Sequence, residues 1–297
     1  MPVNDELGTR MKEFYEQVPK TRLVRRTPVA IRIDGKAFHT FTRGFVKPFD
    51  EVLIRSMQKT MKYLCENIQG CVLGYHQSDE ITLILVDYKK LTSAAWFDYE
   101  VQKMCSIAAS MATMAFNKFF TREVSDYCNN IPRDEDGCLD HSCFEQWKTY
   151  TKALDKGATF DARVFNIPKE EVTNLIYWRQ LDATRNSIQM VGQANFSHKE
   201  LQNKSCNKIQ DMLMTQRGIN WNDFPVYQKR GSCCIKSEVS TTFSKVEEDG
   251  TVTTGSTERP HWVIDNNIPI FKNEDRDYID KLVYLDGDWP SKHIIIN

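Results

Sequence analysis

Three carboxylates in this chain sit where hydrophobic strands end. Val29, Ile31 and Ile33 alternate with Ala30 and Arg32, the period of a strand, and the run stops at Asp34-Gly35. Further on, two apolar runs, residues 71–77 and 81–86, are separated only by Ser78-Asp79-Glu80, the layout of a hairpin. Strands that neighbour one another in a sheet would bring Asp34, Asp79 and Glu80 to one edge. Mg²⁺ is a hard cation that takes oxygen ligands and binds a few carboxylates together with substrate phosphates. Two such ions about 4 Å apart activate a hydroxyl and stabilise a leaving oxygen in phosphoryl transfer. The layout therefore suits a polymerase-like palm. Asp, Glu and Gly are also ordinary turn residues, so spacing alone leaves both readings open.

The elements that must position these residues can be read from periodicity. A helix is expected over residues 51–67, with Val52, Leu53, Met57, Thr60, Met61 and Leu64 on one face. A loop, residues 44–48, precedes it. A long helix is expected over residues 93–120, with Val101, Met104, Ile107, Ala108, Met111 and Ala115 buried, and residues 125–155 read as polar and irregular. A strand resumes at residues 162–166 and a helix follows over 168–193. Ser197 and Glu200 form a capping box for a helix carrying Leu201, Ile209, Met212 and Leu213, which stops near Gly218. Residues 232–256 read as strands joined by a turn at Asp249-Gly250, with another short strand at 262–264. The expected fold is α+β, a palm-like catalytic region over residues 1–230 whose antiparallel sheet carries packed helices. A smaller β-rich region is expected over 231–297.

Composition narrows the functional classes. The 297 residues are 41% hydrophobic and 11% aromatic, enough for a substantial core. No apolar run approaches the roughly 20 residues that span a bilayer, and the first residues lack a secretory pattern. Nine cysteines without a regular framework suit a reducing compartment, so a cytoplasmic location without membrane attachment is expected. The net charge of −1 excludes a globally basic nucleic-acid binder, so any RNA site must come from local clusters. Lys20, Arg22, Arg25 and Arg26 form one such run, and Lys229-Arg230 another. Cys128, Cys138, His141 and Cys143 lie close in sequence, but their spacing matches no established zinc pattern. Cys233 and Cys234 would face opposite sides of a strand. His76 is read as a half-exposed strand residue, and Tyr177 and Trp178 as core.

The block Arg32-Ile33-Asp34-Gly35-Lys36-Ala37-Phe38-His39, then Lys47-Pro48, then Tyr75-His76-Gln77-Ser78-Asp79-Glu80 resembles the tRNA-His guanylyltransferase family in order and spacing. The likeness continues at Phe160-Asp161-Ala162-Arg163-Val164 and Tyr177-Trp178-Arg179-Gln180-Leu181-Asp182. The resemblance implies a palm-like fold and 3′–5′ nucleotide addition to a tRNA 5′ end. In that chemistry ATP adenylylates the RNA 5′-monophosphate, and the 3′-hydroxyl of an incoming nucleotide, normally GTP, attacks the activated end. It implies that Asp34 and Asp79 hold two Mg²⁺ ions, with the Gly35 carbonyl as a further ligand and Glu80 supporting metal or water. The backbone from Asp34 to His39, with Ser78, would cradle the triphosphate, while Lys47 and Arg32 neutralise phosphate charge. A homotetramer is also implied.

One stretch departs from the family pattern. Typical eukaryotic members carry His-Ile-Asn-Asn-Leu-Tyr-Asn after the Trp-Arg-Gln block, whereas residues 182–190 here share outright only Asn186. The chain thus resembles more the guanylyltransferase-like branch, whose members repair truncated tRNA 5′ ends against a template. Arg179 and Arg185 become candidate RNA contacts. Two other classes remain open, a palm-fold nucleotide cyclase and a tRNA-binding protein without catalysis.

Overall fold

The structure is a computed structural model that describes residues 6–133, 140–246 and 252–285. Its strands are β1 (Val29–Gly35), β2 (Cys71–Gln77), β3 (Glu80–Leu85), β4 (Phe160–Asn166), β5 (Ser232–Val246) and β6 (Val252–Asp265). Its α-helices are α1 (Glu6–Met11), α2 (Phe38–Phe41), α3 (Glu51–Asn67), α4 (Val101–Asn129), α5 (His141–Lys156), α6 (Lys169–Asn195), α7 (His198–Leu201), α8 (Cys206–Arg217), α9 (Val226–Arg230) and α10 (Asp277–Val283). The strands form one six-stranded antiparallel sheet in the order β4-β1-β3-β2-β5-β6. This is the α+β palm expected from the sequence.

Alternation along β1 gives the sheet two buried faces. Val29, Ile31 and Ile33 join Leu83 and Leu85 in a core closed by Met57, Met61 and Leu64 of α3 and by Phe116 and Phe120 of α4. Ala30, Leu73, Tyr75 and Ile84 face the other way, onto Val172 and Ile176 of α6 and Ile279 and Val283 of α10. A strand buried on both faces is usually apolar throughout. β1 departs from that only at Arg32 and Asp34, which lie toward its carboxyl end. Cys233 and Cys234 fall one in each core, as adjacent strand residues must.

Several boundaries differ from the sequence reading. The long helix starts at Val101 rather than near residue 93, because Phe97, Asp98 and Tyr99 adopt positive φ angles of 50°, 52° and 56° that a right-handed helix excludes. That turn buries Trp96 and Tyr99. The helix then runs past residue 120 to Asn129. The stretch read as irregular also holds α5, started by the Asp140 side chain accepting from the Cys143 amide. α5 is amphipathic despite its polar composition. Tyr150 and Ala153 are buried, and Trp147 and Leu154 pack beside them. The Ser197 capping box is present but starts only the four-residue α7. The chain restarts on a second cap, Ser205, and α8 ends at Gly218 with φ 65°.

β5 pairs with β2 through Ser232↔His76, Cys233↔Tyr75 and Cys234↔Gly74, so the strands after Gly231 extend the same sheet. Gly231 makes this possible, since a Cβ there would lie 2.3 Å from the His76 carbonyl oxygen. The expected turn at Asp249-Gly250 lies outside the described residues. Phe271, Ile279 and Val283 are buried against the α6 face. Among the described residues no helix is long and apolar enough to cross a membrane.

Candidate active site

The end of β1 is tied to the tip of the β2–β3 hairpin. The Gly35 amide donates to the Asp79 carbonyl at 3.2 Å, and the Lys36 amide to the Thr159 carbonyl at 2.9 Å. Ala37 then turns the chain with φ 54° into α2. Phe38 locks the turn by entering an aromatic cluster, its ring centroid 5.1 Å from Phe41, 5.1 Å from Phe160 and 5.5 Å from Phe116. Gly35 is required for that approach, because a Cβ would stand 2.2 Å from the Phe38 ring. Phe38 thus enters the core, and the neighbouring backbone is held rigidly with Lys36 and His39 exposed.

This turn forms one wall of a cavity of about 460 Å³, also lined by His39, Lys47, Ser78, Asp79 and Met190. The opposite wall hangs on Asp50. Its buried carboxylate accepts from the Leu53 amide at 2.9 Å as the cap of α3, from the Val46 amide at 2.9 Å, and from the Tyr150 hydroxyl at 2.8 Å. One side chain therefore fixes the Lys47 loop to α3 and α5. Nothing in the local sequence pattern singled out Asp50 beyond its place as a helix cap.

Asp79 lines this cavity, and Asp34 and Glu80 stand on the adjoining sheet edge, as the strand ends require. Asp34 lies directly across from Glu80 on β3 and from Asp161 on β4. Burial raises the Asp34 carboxyl above the ordinary range, and the charges of Glu80 and Asp161 push it further. Asp79 is pushed up to about 6, first by burial and then by Asp34. Its Oδ1 accepts from the Ser78 hydroxyl at 3.1 Å. Glu80 is engaged differently. Its Oε2 takes Arg179 Nη2 at 2.5 Å, Gln77 Nε2 at 3.2 Å and Arg32 Nη2 at 3.3 Å. Arg179, only 4% exposed, also reaches Asp182 at 2.9 Å.

Asp34 and Asp79 thus share an acidic edge, where Arg163 and Arg32 offset the rise at Asp34 only in part. A divalent cation with oxygen preference fits that donor set. Among the described residues no three His, Cys, Asp or Glu side chains form a protein-only metal cage. Mg²⁺ does not need one, since it keeps waters and shares substrate phosphates. Cys128, His141 and Cys143 form no such group either, and Cys138 lies outside the described residues.

Other expected positions resolve as follows. His76 is buried rather than half-exposed. Burial lowers its imidazole to about 4, so the neutral ring donates from Nε2 to the Ser78 carbonyl at 2.9 Å and braces the hairpin tip. Arg22 pairs with Asp98 at 2.6 Å, and Arg25 with Asp87 at 2.9 Å and Asp98 at 3.1 Å. The Arg26 amide donates to Asp87 at 2.8 Å. These three arginines lie at the opposite end of β1 from Asp34. Lys229 is buried with its Nζ on the Asn222 carbonyl, and Arg230 is partly buried on α9. Arg185 is exposed and paired with Asp182. Arg179 sits beneath the carboxylates, not on an open surface.

The clearest correction concerns Trp178, which is 51% exposed instead of core. The Arg32 and Arg179 guanidinium carbons lie 5.4 Å and 4.6 Å from its ring centroid. A helical projection would have found it. Ile176, Gln180, Ala183 and Ser187 define the buried stripe of α6, and residue 178 falls off it.

Comparison with known proteins places this geometry. The chain is 29% identical over 253 residues, 80% of each chain, to the uncharacterized protein R259 of Acanthamoeba polyphaga mimivirus. It is 27% identical over 218 residues to the tRNA(His) guanylyltransferase of Saccharomyces cerevisiae, covering 69% of this chain and 80% of that one. A solved bacterial tRNA(His) guanylyltransferase (Thg1)-like protein in complex with ATP superposes with TM-score 0.72 at 41% identity, covering 94% of this chain and 99% of that one. The Saccharomyces cerevisiae enzyme structure superposes with TM-score 0.56 at 22% identity, covering 74% of this chain and 91% of that one, a likeness of fold. The family model for Thg1, the tRNAHis guanylyltransferase, matches residues 8–168, a span that holds β1, its turn and the carboxylate hairpin. With the palm sheet and the acidic edge in the same segment, the chain belongs to the tRNAHis guanylyltransferase (Thg1) family of nucleotidyltransferases.

Proposed function

We propose that the protein adds nucleotides in the 3′–5′ direction to the 5′ end of tRNA, in a template-directed manner, with ATP and GTP as substrates. The observation that carries this reading is Asp79, coupled to the neighbouring charge of Asp34, in a cavity walled by Gly35, residues 37–39 and the Lys47 loop. The bacterial Thg1-like relatives were solved with ATP and with GTP bound, which supports a triphosphate as the occupant. Their greater likeness to this chain, 41% identity against 22% for the yeast enzyme's structure, supports the Thg1-like branch and hence 5′-end repair. The departure at residues 182–190 points the same way.

The chemistry has two displacements. A 5′-phosphate oxygen of the RNA attacks the α-phosphorus of ATP, pyrophosphate leaves, and an adenylylated end results. The 3′-hydroxyl of GTP then attacks the 5′-phosphorus of the RNA, giving up its proton, and AMP leaves. Mg²⁺ held by Asp34, Asp79 and the Gly35 carbonyl would supply the charge that favours the attacking oxygen and the leaving phosphate. The Gly35 and Lys36 amides are held by the Asp79 and Thr159 carbonyls, so in a turn fixed by Phe38 the amides of residues 37–39 are the ones that would meet the triphosphate. Lys47, held in place through Asp50, offers a point charge to it. Arg32 and Arg179, clamped by Glu80, hold positive charge next to the acidic edge without entering the cavity. Two carboxylates, Asp34 and Asp79, facing phosphates without metal would oppose RNA binding, which argues against a binder lacking catalysis.

Self-association to a homotetramer is part of the same reading. The segment from Glu6 to Glu16 buries no residue and exposes Leu7, Met11, Phe14 and Tyr15, which supports a covering partner copy. Light scattering on the purified chain reads the mass directly, and a monomer would contradict it.

The adenylylation step gives the first test of the activity. Incubation with ATP labelled at the α-phosphate and a 5′-monophosphorylated tRNA should produce labelled RNA. A 5′-hydroxyl tRNA should give none. Consumption of GTP or ATP to a cyclic nucleotide without RNA would replace this reading with a cyclase.

A further inference from the structure

Trp178 is a large aromatic side chain left half outside the protein beside the reactive edge. Its ring is not loose. Arg32 comes up from β1 and Arg179 from α6, both guanidiniums lie over the indole, and both are held by Glu80. Among the described residues the Arg179 Nε is buried without a hydrogen-bond partner. The surface around the indole is equally specific. Leu181, 50% exposed, and Arg185, with a side chain 61% exposed, follow Trp178 at i+3 and i+7 on α6. Arg163 stands directly across from Arg32 in the β1–β4 register, its side chain 62% exposed.

The triphosphate cavity is walled by α2, α3, the Lys47 loop and, from α6, Met190 alone, whereas Arg32 and Trp178 do not line it and lie toward the α6 side of the same sheet edge. Two substrates must meet at Asp34 and Asp79, and the α6 side offers the second an approach outside the cavity. We propose that Trp178 is the stacking platform for the 5′-terminal base of the RNA substrate, with Arg163 and Arg185 against its backbone phosphates. A half-exposed indole with guanidiniums over its ring offers π-surface that a nucleobase can stack on. Such stacking tolerates any base. That property is needed where the end to be extended varies in sequence. The cations contribute position and salt-dependent affinity without reading sequence. This inference rests on the reading of the chain as a 5′-end nucleotidyltransferase and names the site of its second substrate.

The test uses the full chain and a 5′-monophosphorylated acceptor-stem hairpin with 2-aminopurine as its first nucleotide. Wild type and Trp178→Phe should quench the probe on binding, and Trp178→Ala should not. In steady-state transfer of labelled GTP, Trp178→Ala should raise the KM for RNA by about 10- to 100-fold, the range of one lost base stack. The KM for GTP should stay within about twofold of wild type, and Trp178→Phe should restore most of the loss. Because the side chain is half exposed, the far-UV spectrum of each variant should match wild type. An unquenched probe on the wild-type protein overturns the platform, and so does an RNA KM unchanged in Trp178→Ala. A wild type that quenches through Trp178 but transfers no nucleotide overturns the assigned function and leaves the RNA site standing.

Discussion

Glu80 lies directly opposite Asp34 in the antiparallel register, yet its Oε2 is bound to Arg179 at 2.5 Å. Two adjacent carboxylates thus have separate tasks. Asp34 joins Asp79 at the cavity, and Glu80 neutralises a buried arginine below it. Removing Glu80 leaves the buried Arg179 with Asp182 as its remaining acidic partner, and breaking a buried pair costs about 3 kcal/mol or more when it is fully buried. Glu80 keeps a fifth of its side chain exposed, so Glu80→Ala should cost about 2 kcal/mol by the same principle. Chemical denaturation reads this directly. A variant as stable as wild type would assign the Arg179 compensation to Asp182 alone.

Asp79→Ala should abolish nucleotide transfer while leaving the fold intact. Its carboxyl is already pushed up to about 6 by burial and by Asp34, so the native state gains nothing from its charge. Without added metal, thermal unfolding of the variant should occur at or above the wild-type temperature. Retained transfer would remove Asp79 from the metal site.

The pH dependence of stability should carry a signature of His76. Its folded value, lowered to about 4 by burial, lies below the unfolded value of about 6.5. Between these the unfolded chain binds more protons, so stability is complete above about pH 6.5 and falls as pH drops toward about 4. Urea unfolding at pH 7.5 and pH 5 should show the loss, and His76→Gln should lose less between the same two values. Equal losses in the two proteins would place the titrating group elsewhere.

Gly35→Ala puts a methyl group where the Phe38 ring now lies, at 2.2 Å. Phe38 cannot yield easily within its aromatic cluster, and overpacking of this kind costs about 1–3 kcal/mol. The displaced turn should also raise the KM for GTP. Comparing the melting temperature and KM of the variant with wild type checks both effects.

Lys47→Ala should weaken use of the nucleotide far more than it affects folding, since the loop is held by Asp50 rather than by Lys47. A KM for GTP raised about tenfold corresponds to one lost charged contact to phosphate, about 1.4 kcal/mol. Unchanged dependence on GTP concentration would exclude Lys47 from the triphosphate.

Much of the site was legible because its chemistry is local in sequence. Asp34 and Asp79 mark strand ends, and a period-two pattern is enough to place strand ends at one sheet edge. What escaped is what depends on partners far along the chain. Glu80 receives its role from Arg179, and Arg25 is paired with Asp87 and Asp98. Neither relationship is visible in a window of neighbouring residues. Trp178 was misplaced because residue type was weighed above helical phase. α5 was missed because its composition is polar, although Tyr150 and Ala153 are spaced correctly for a buried stripe. The positive φ run at Phe97, Asp98 and Tyr99 has no glycine to announce it, so the start of α4 could not be read in advance.

The central claim is templated addition at a 5′ end, and one assay addresses it most directly. A 5′-monophosphorylated tRNA lacking its first nucleotide is supplied with ATP, Mg²⁺ and labelled GTP, and the base opposite the missing position is varied. The account predicts label at the 5′ end when that base is cytidine and little when it is adenosine, guanosine or uridine. Label of equal intensity with every opposing base would contradict templating and return the protein to untemplated guanylylation.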